Sequence, residues 1–371
     1  MTKVVFDSQI FSLQQFGGIS RYICALAEKL ADRPDVQVQI LAPLYINQYL
    51  RELKTSRAGM VSGVYIRPLP KFGQWLANVS NLFFSLAANS CQPHIVHETY
   101  YSAKPTYKGK AARVLTVYDL IHEKFPESFL PGDPIAHNRA KAIRRADHII
   151  CISESTRRDL IEIYQVPEHK ISVTYLGYDT LSASSLVASA LVGSKPYLLY
   201  VGSRHGYKNF DGLVRAFAAS SFLKASARVV CFGGGVLTQA ERALLAELKL
   251  PADDVVQVGG NDERLAALYQ GASAFVYPSK YEGFGIPPLE AMSLACPVIC
   301  SNTSSIPEVV GSAGEYFNPN DVESMRQAIE SVLVSPDRRQ ELITLGNDRV
   351  HAFSWSRCAT ETLAVYRKLA A

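Results

Sequence analysis

The chain has 371 residues, 48% hydrophobic and 19% charged, with a formal net charge of +4. That length exceeds what one hydrophobic core sustains, and the composition excludes a disordered or fibrous chain, so two globular domains of roughly 150–200 residues each are expected. No run of about 18 apolar residues occurs, and the start MTKVVFDSQIF lacks the apolar segment and cleavage site of a secretory signal, so a cytoplasmic protein is expected.

Taken in order, KVVFD reads as a strand, FGGIS as a loop, RYICALAEKLAD as a helix and VQVQILAP as a second strand, a βαβ opening. HIVHE, RVLTVYD, HIICIS and KISVTYLGYD continue the series. Each is followed by polar or helical sequence, the pattern of a parallel sheet covered on both faces. Between them, GQWLANVSNLFFSLAANS places Trp75, Leu76, Val79, Leu82, Phe83 and Leu86 on one helical face, expected to face the core, with a membrane surface as the alternative. Residues 180–195, rich in Ser and Ala, read as a linker. YLLYVG, RVVCFGG, VVQVGG, AFVYPS and PVICSN then form a second doubly wound series. The domains are therefore expected at 1–176 and 177–355, with a last helix, 356–371, crossing back onto the first.

Charge divides unevenly. Residues 1–176 hold 21 Lys and Arg against 15 Asp and Glu, whereas 177–371 hold 17 against 19. Basic clusters such as KAIRRADH and STRRDL suit an anionic membrane surface, a phosphorylated acceptor or plain solvation. No basic stripe interleaved with aromatics argues for nucleic acid. The seven scattered cysteines read as reduced core residues, and Cys296 and Cys300 lack the companions of a zinc site.

Three glycine turns follow strands: FGGIS, VGSRHGYKN and FGGGV. Each lets backbone amides approach an anion. In the second, Arg204 and Lys208 flank the strand-to-helix turn beside Gly202 and Ser203, and can neutralise a diphosphate. No D-x-D triplet is present to hold a divalent metal, so fixed cations and amide dipoles are expected to do this work, with no metal and no cofactor. In YEGFGIPPLEAM, Pro287 and Pro288 suit the first turn of a helix, so Glu290 lies just inside it and Glu282 in the loop before. The amides of Gly283, Phe284 and Gly285 can point at a ligand, while the two carboxylates suit vicinal hydroxyls.

With SKYEGFGIPPLEAM, VGSRHGYKN, NDERLAALYQGASAFVYPS, PVICSNTSSIPEVVG and FGGISRY together, the whole chain resembles the family 4 retaining glycosyltransferases. That resemblance implies the GT-B fold, two facing Rossmann-like α/β domains with a cleft between them. It implies that Arg204 and Lys208 grip the donor diphosphate and that Glu290 binds the ribose. Glu282, with the amides of Phe284, Gly285 and Ile286 and nearby Ser279, would meet the donor sugar and phosphates. Val258 to Leu265 would border the base, and Gly17 and Gly18 would lie under the phosphates. Where relatives carry histidine before the aspartate of a strand end, this chain has Tyr118 before Asp119, leaving His122 as the candidate for the polar role. Tyr207 stands where many relatives have arginine.

FDSQIFSLQQFGGISRY, HETYY and YDLIHEKFP are similar to bacterial mannosyl- and rhamnosyltransferases of lipopolysaccharide O-chains. The resemblance implies a GDP-sugar donor, with UDP and dTDP open, a lipid-linked glycan acceptor at the inner membrane face, and other glycosyltransferases as partners. A non-hydrolysing sugar-nucleotide epimerase and a silent nucleotide-sugar-binding subunit remain alternatives.

Overall fold

The computed structural model describes residues 1–68, 73–181 and 192–370. Residues 182–191, most of the expected linker, lie outside it. The chain divides into two compact units: Met1–Lys124 with Phe129–Gly177 and Phe353–Ala371, and Phe125–Ser128 with Tyr178–Ala352. In the first, β1 (Thr2–Phe6), β2 (Val36–Tyr45), β3 (Val61–Tyr65), β4 (Ile95–Glu98), β5 (Ala112–Val117), β6 (His148–Cys151) and β7 (Ile171–Val173) form a parallel sheet in the order β3-β2-β1-β4-β5-β6-β7. In the second, β8 (Tyr197–Val201), β9 (Arg228–Phe232), β10 (Val255–Val258), β11 (Ala274–Tyr277), β12 (Val298–Ser301) and β13 (Gly314–Phe317) pair as β10-β9-β8-β11-β12-β13. Both sheets are doubly wound, as the alternating pattern predicts. The strand order reverses beside β1 in one and beside β8 in the other, and ligands of open α/β sheets bind at the carboxyl edge of such a point.

Two edge strands were not expected. β13 (GEYF) is half-buried and carries only four residues. β3 (VSGVY) contains Gly63 at φ +148, where a Cβ would come within 1.7 Å of the Ala42 carbonyl oxygen. The β2–β3 register shifts between Leu41 and Leu44, so the glycine accommodates an irregularity in its neighbour. The Gly73–Cys91 helix also differs from expectation. Among its described side chains the buried ones are Ser80, Phe84 and Ala88, while Phe83 and Leu86 are 51% and 67% exposed. The small Ala88 and Ser80 let the helix approach β2 closely, and Phe83 and Leu86 turn outward. The side chains of Trp75, Leu76 and Leu82 lie outside the described residues.

The Trp355–Ala370 helix packs in the first unit against the Gly18–Ala31 helix, as Tyr366 joins a buried polar chain. The Tyr366 hydroxyl meets His97 Nδ1 at 2.5 Å, His97 Nε2 meets Thr116 Oγ1 at 2.8 Å, and Thr116 lies 3.4 Å from the Tyr22 hydroxyl. Burial holds the His97 imidazole down at about 3, so it is neutral and its two nitrogens serve one as donor and one as acceptor. All seven cysteines are free thiols.

Candidate active site

In the second unit the loops leaving β8, β11 and β12 are tied together at the switch point. Asn209, left-handed at φ 56, donates through Nδ2 to the Pro278 and Pro319 carbonyls at 3.0 and 2.9 Å. The Lys280 amide donates to the Tyr207 carbonyl at 2.7 Å. From the β12 side, Thr303 and Ser305 hydroxyls donate to the carbonyls of Lys280, Glu282 and Phe284, and Ser304 Oγ accepts from the Glu282 amide. These bonds fix the backbone from Lys280 to Phe284 before any ligand arrives, the preorganisation that charge stabilisation requires. Across the same edge Lys208 Nζ lies 2.7 Å from Glu282 Oε1. Gly285, at φ +125, turns the chain into the Ile286–Ser293 helix, with prolines in its first turn. Glu290 is buried in that helix, 3.3 Å from the Tyr269 hydroxyl. Glu282, Gly283, Phe284, Gly285 and Ser279 are buried at the same edge.

Arg204 is engaged within the protein. It is buried, with Nε 2.9 Å from Glu241 Oε1 and its terminal nitrogens donating to the carbonyls of Gly233, Gly234, Gly235 and Val236. All three glycines have positive φ. Successive left-handed residues turn their carbonyls to one side, and a guanidinium with donors in a fixed fork is suited to collect them. Arg204 therefore organises the loop leaving β9 in this structure. Burial alone would push the Glu241 carboxyl up; Arg204 and the Thr238 amide hold it below its usual range. Val258 accepts from the Gly233 amide through its carbonyl, while Leu265 is buried on the Asp262–Gly271 helix.

In the first unit, Asp119 and His122 are gathered by Arg139, a residue not singled out from sequence. Its Nη1 donates to the Asp119 carbonyl at 2.7 Å and to Glu123 at 2.6 Å, and its Nη2 lies 3.4 Å from His122 Nδ1. The guanidinium stacks 4.7 Å over the Tyr101 ring. Burial first, then the Arg139 charge, lowers the His122 pKa, so a neutral ring stacks on Phe129 at 3.7 Å. Tyr118 turns inward, its hydroxyl donating to the Thr99 carbonyl at 2.9 Å. At the β1–β4 switch point Asp7 is buried and accepts from the Thr99 amide and hydroxyl at 2.9 and 2.6 Å and from Gln9 Nε2 at 2.6 Å. Gly17 and Gly18 begin the Gly18–Ala31 helix, and a Cβ at Gly18 would meet nothing within 4 Å.

The family model described as Glycosyl transferases group 1 matches residues 185–349, and that described as Glycosyltransferase Family 4 matches residues 16–181. The chain belongs to the family 4 glycosyltransferases. It is 30% identical over 269 residues to O-antigen chain mannosyltransferase B of Escherichia coli, covering 69% of this chain and 70% of that one. It is 29% identical to O-antigen chain mannosyltransferase RfbU of Salmonella typhimurium, covering 61% of this chain and 62% of that one. Sucrose-phosphate synthase from Thermosynechococcus elongatus superposes over 100% of this chain and 99% of its own, with a TM-score of 0.76 at 19% identity. The fold is thus GT-B.

Within this glycosyltransferase the structure adds Glu241, Asn209, Ser305, Arg139 and Asp7 to the residues read from sequence. Glu241 had a visible signal: Thr238 and Glu241 form a capping box, the T-x-x-E pattern that opens a helix. Asp7 stands at the end of a legible strand. Arg139 had no signal, because nothing in RAKAIRRAD marks one of its arginines as buried.

Proposed function

We propose that this glycosyltransferase transfers mannose, or a related deoxyhexose, from a GDP-sugar to a lipid-linked glycan in the synthesis of an O-antigen or similar polysaccharide. Two O-antigen mannosyltransferases among the relatives support the sugar and the acceptor class. The observation that carries the reading is the Lys208–Glu282 pair at the β8–β11 switch point, bordered by the buried Glu290 and a braced run of backbone. A donor diphosphate would displace Glu282 as the partner of Lys208 and leave that carboxylate free to accept from the sugar hydroxyls. Glu290 would accept from the ribose. Lys208 and loop amides would stabilise the charge on the departing diphosphate without a metal, while Arg204 and Glu241 keep the β9 loop in place. Retention follows if the leaving phosphate itself takes the proton of the acceptor hydroxyl on the face from which it departs.

The first unit would carry the acceptor, with Asp119 and His122 bordering its hydroxyls. Among the described residues no helix is long and apolar enough to cross a membrane, and a peripheral position on the membrane's inner face fits the basic first half. Thermal-shift screening with GDP, UDP, ADP and dTDP tests the donor. A ligand at 100 times its Kd raises stability by about 2.7 kcal/mol. GDP is expected to give the largest rise; a larger rise with UDP or dTDP overturns the guanine assignment, and no rise with any of them overturns the donor site.

A further inference from the structure

A basic concavity lies in the first unit, lined by residues other than those assigned above. It has a volume of about 390 Å³ and is lined by Ala103, Pro105, Arg113, Lys141, Arg144 and Arg145, with no carboxylate in its wall. Lys141, Arg144 and Arg145 stand at i, i+3 and i+4 near the end of the Ile135–Arg145 helix and so share one face, while Arg139, Ala142 and Ile143 are buried on the other. Two of the four cations are held in position. Arg145 grips the buried Glu98 through Nε and Nη2, at 3.0 and 2.6 Å, and donates to the Ser102 carbonyl at 2.7 Å. Arg113 donates to the Tyr107 carbonyl at 3.1 Å.

Several partly buried arginines elsewhere are neutralised: Arg57 by Glu28 and Asp32, Arg157 by Glu154 and Glu168, Arg326 by Glu323 and Glu330, Arg338 by Glu315 and Glu341. Among the described residues neither Lys141 nor Arg144 forms an ion pair. Four like charges around one hollow, with Glu98 behind Arg145 and Asp147 accepting from the Arg113 amide, repel one another. Binding an anion of two or more charges relieves that repulsion, and planar guanidiniums match phosphoryl oxygens.

We propose that this concavity binds the diphosphate of the lipid-linked acceptor, a phosphoryl site separate from the donor's. The proposal rests on the acceptor class named above. Lys141 and Arg144 supply the adaptable contacts, Arg113 and Arg145 the fixed ones.

The test uses inorganic pyrophosphate titrated calorimetrically into the full chain already saturated with GDP, so that the donor site is occupied. The Lys141→Ala/Arg144→Ala double variant is compared with wild type and with Arg51→Ala/Lys54→Ala, an equal charge loss at exposed positions elsewhere in the unit. Alanine favours a helix, so the fold is expected to persist, and circular dichroism checks it. The expected result is at least about a tenfold rise in the pyrophosphate Kd for K141A/R144A only, with GDP binding unchanged. Equal pyrophosphate affinity in all three proteins, or none in wild type, overturns the site. A parallel arm sediments each protein with phosphatidylglycerol vesicles: weaker sedimentation of K141A/R144A with no pyrophosphate binding in solution assigns the cavity to a lipid headgroup and overturns the acceptor diphosphate. Pyrophosphate binding lost as expected in a protein that fails to bind any nucleoside diphosphate supports this site and sinks the donor reading instead.

Discussion

The two switch points spend charge differently. At the β8–β11 edge the ion pair is partly exposed: the Lys208 side chain is 21% and that of Glu282 10% exposed, with loops shaped mainly by hydroxyls and an amide bonding to backbone carbonyls. At the β1–β4 edge and beside it the charges are sealed, with Asp7 at 0% and Arg139 at 1% exposure. A partly exposed pair can exchange one partner for a ligand, whereas a sealed one holds loops together and costs several kcal/mol if broken. The proposed donor chemistry uses the partly exposed pair of the second unit's edge, whereas buried charges, Arg139 in the first unit and Arg204 in the second, hold loops.

Breaking the sealed set should have the largest effect. Arg139→Met leaves the Asp119 carbonyl without its Arg139 donor and Glu123 without its cationic partner, the Tyr164 hydroxyl still donating to Glu123, and is expected to cost about 3–5 kcal/mol in urea denaturation. A loss under about 1 kcal/mol would mean that this cluster relaxes as easily as a surface pair.

Next comes pH. The folded His97 pKa, about 3, lies below its ordinary 6.5, so below pH 6.5 the unfolded chain binds a proton that the native one does not. Its contribution is full above pH 6.5 and is lost as pH falls toward 3, by up to about 1.4 kcal/mol per pH unit. Relative to His97→Gln, wild type should lose stability between pH 6.5 and 4.5. Parallel stability curves for the two proteins would show that the imidazole accepts a proton in place.

A smaller effect sharpens the contrast within the second unit. Glu241→Gln keeps the capping box, since glutamine serves at that position, but removes the charge facing Arg204. Nucleoside diphosphate affinity is expected to fall about tenfold, about 1.4 kcal/mol, with helix content unchanged. Thr238→Ala, which removes the cap and keeps the charge, should cost about 1 kcal/mol of stability with affinity intact. If both variants lower affinity alike, Glu241 acts through the helix and not through Arg204.

The fold was legible where strands are buried on both faces. VVF, HIIC, VVCF and AFVY are runs of β-branched and aromatic residues that only a covered parallel sheet explains. β3 and β13 were not, because an edge strand needs few apolar residues and Gly63 answers a neighbour's irregularity that no local pattern announces. The Gly73–Cys91 helix misled for a related reason: close packing selected Ser80, Phe84 and Ala88, and a count of large apolar residues points to the other face. In the site, Lys208, Glu282 and Glu290 were readable because glycine and proline mark the turns that hold them. Arg204 was readable as a cation near a strand end, but its orientation depends on four carbonyls about 30 residues away whose direction three left-handed glycines set.

On the proposed reading, the β8–β11 edge holds a diphosphate through Lys208. Calorimetric titration of GDP and GMP into wild type and Lys208→Ala tests it most directly, because the β-phosphate is the only difference between the ligands. Wild type is expected to prefer GDP by at least about tenfold and Lys208→Ala to lose that preference, with GMP affinity little changed. A Lys208→Ala protein that still distinguishes GDP from GMP as wild type does would contradict it.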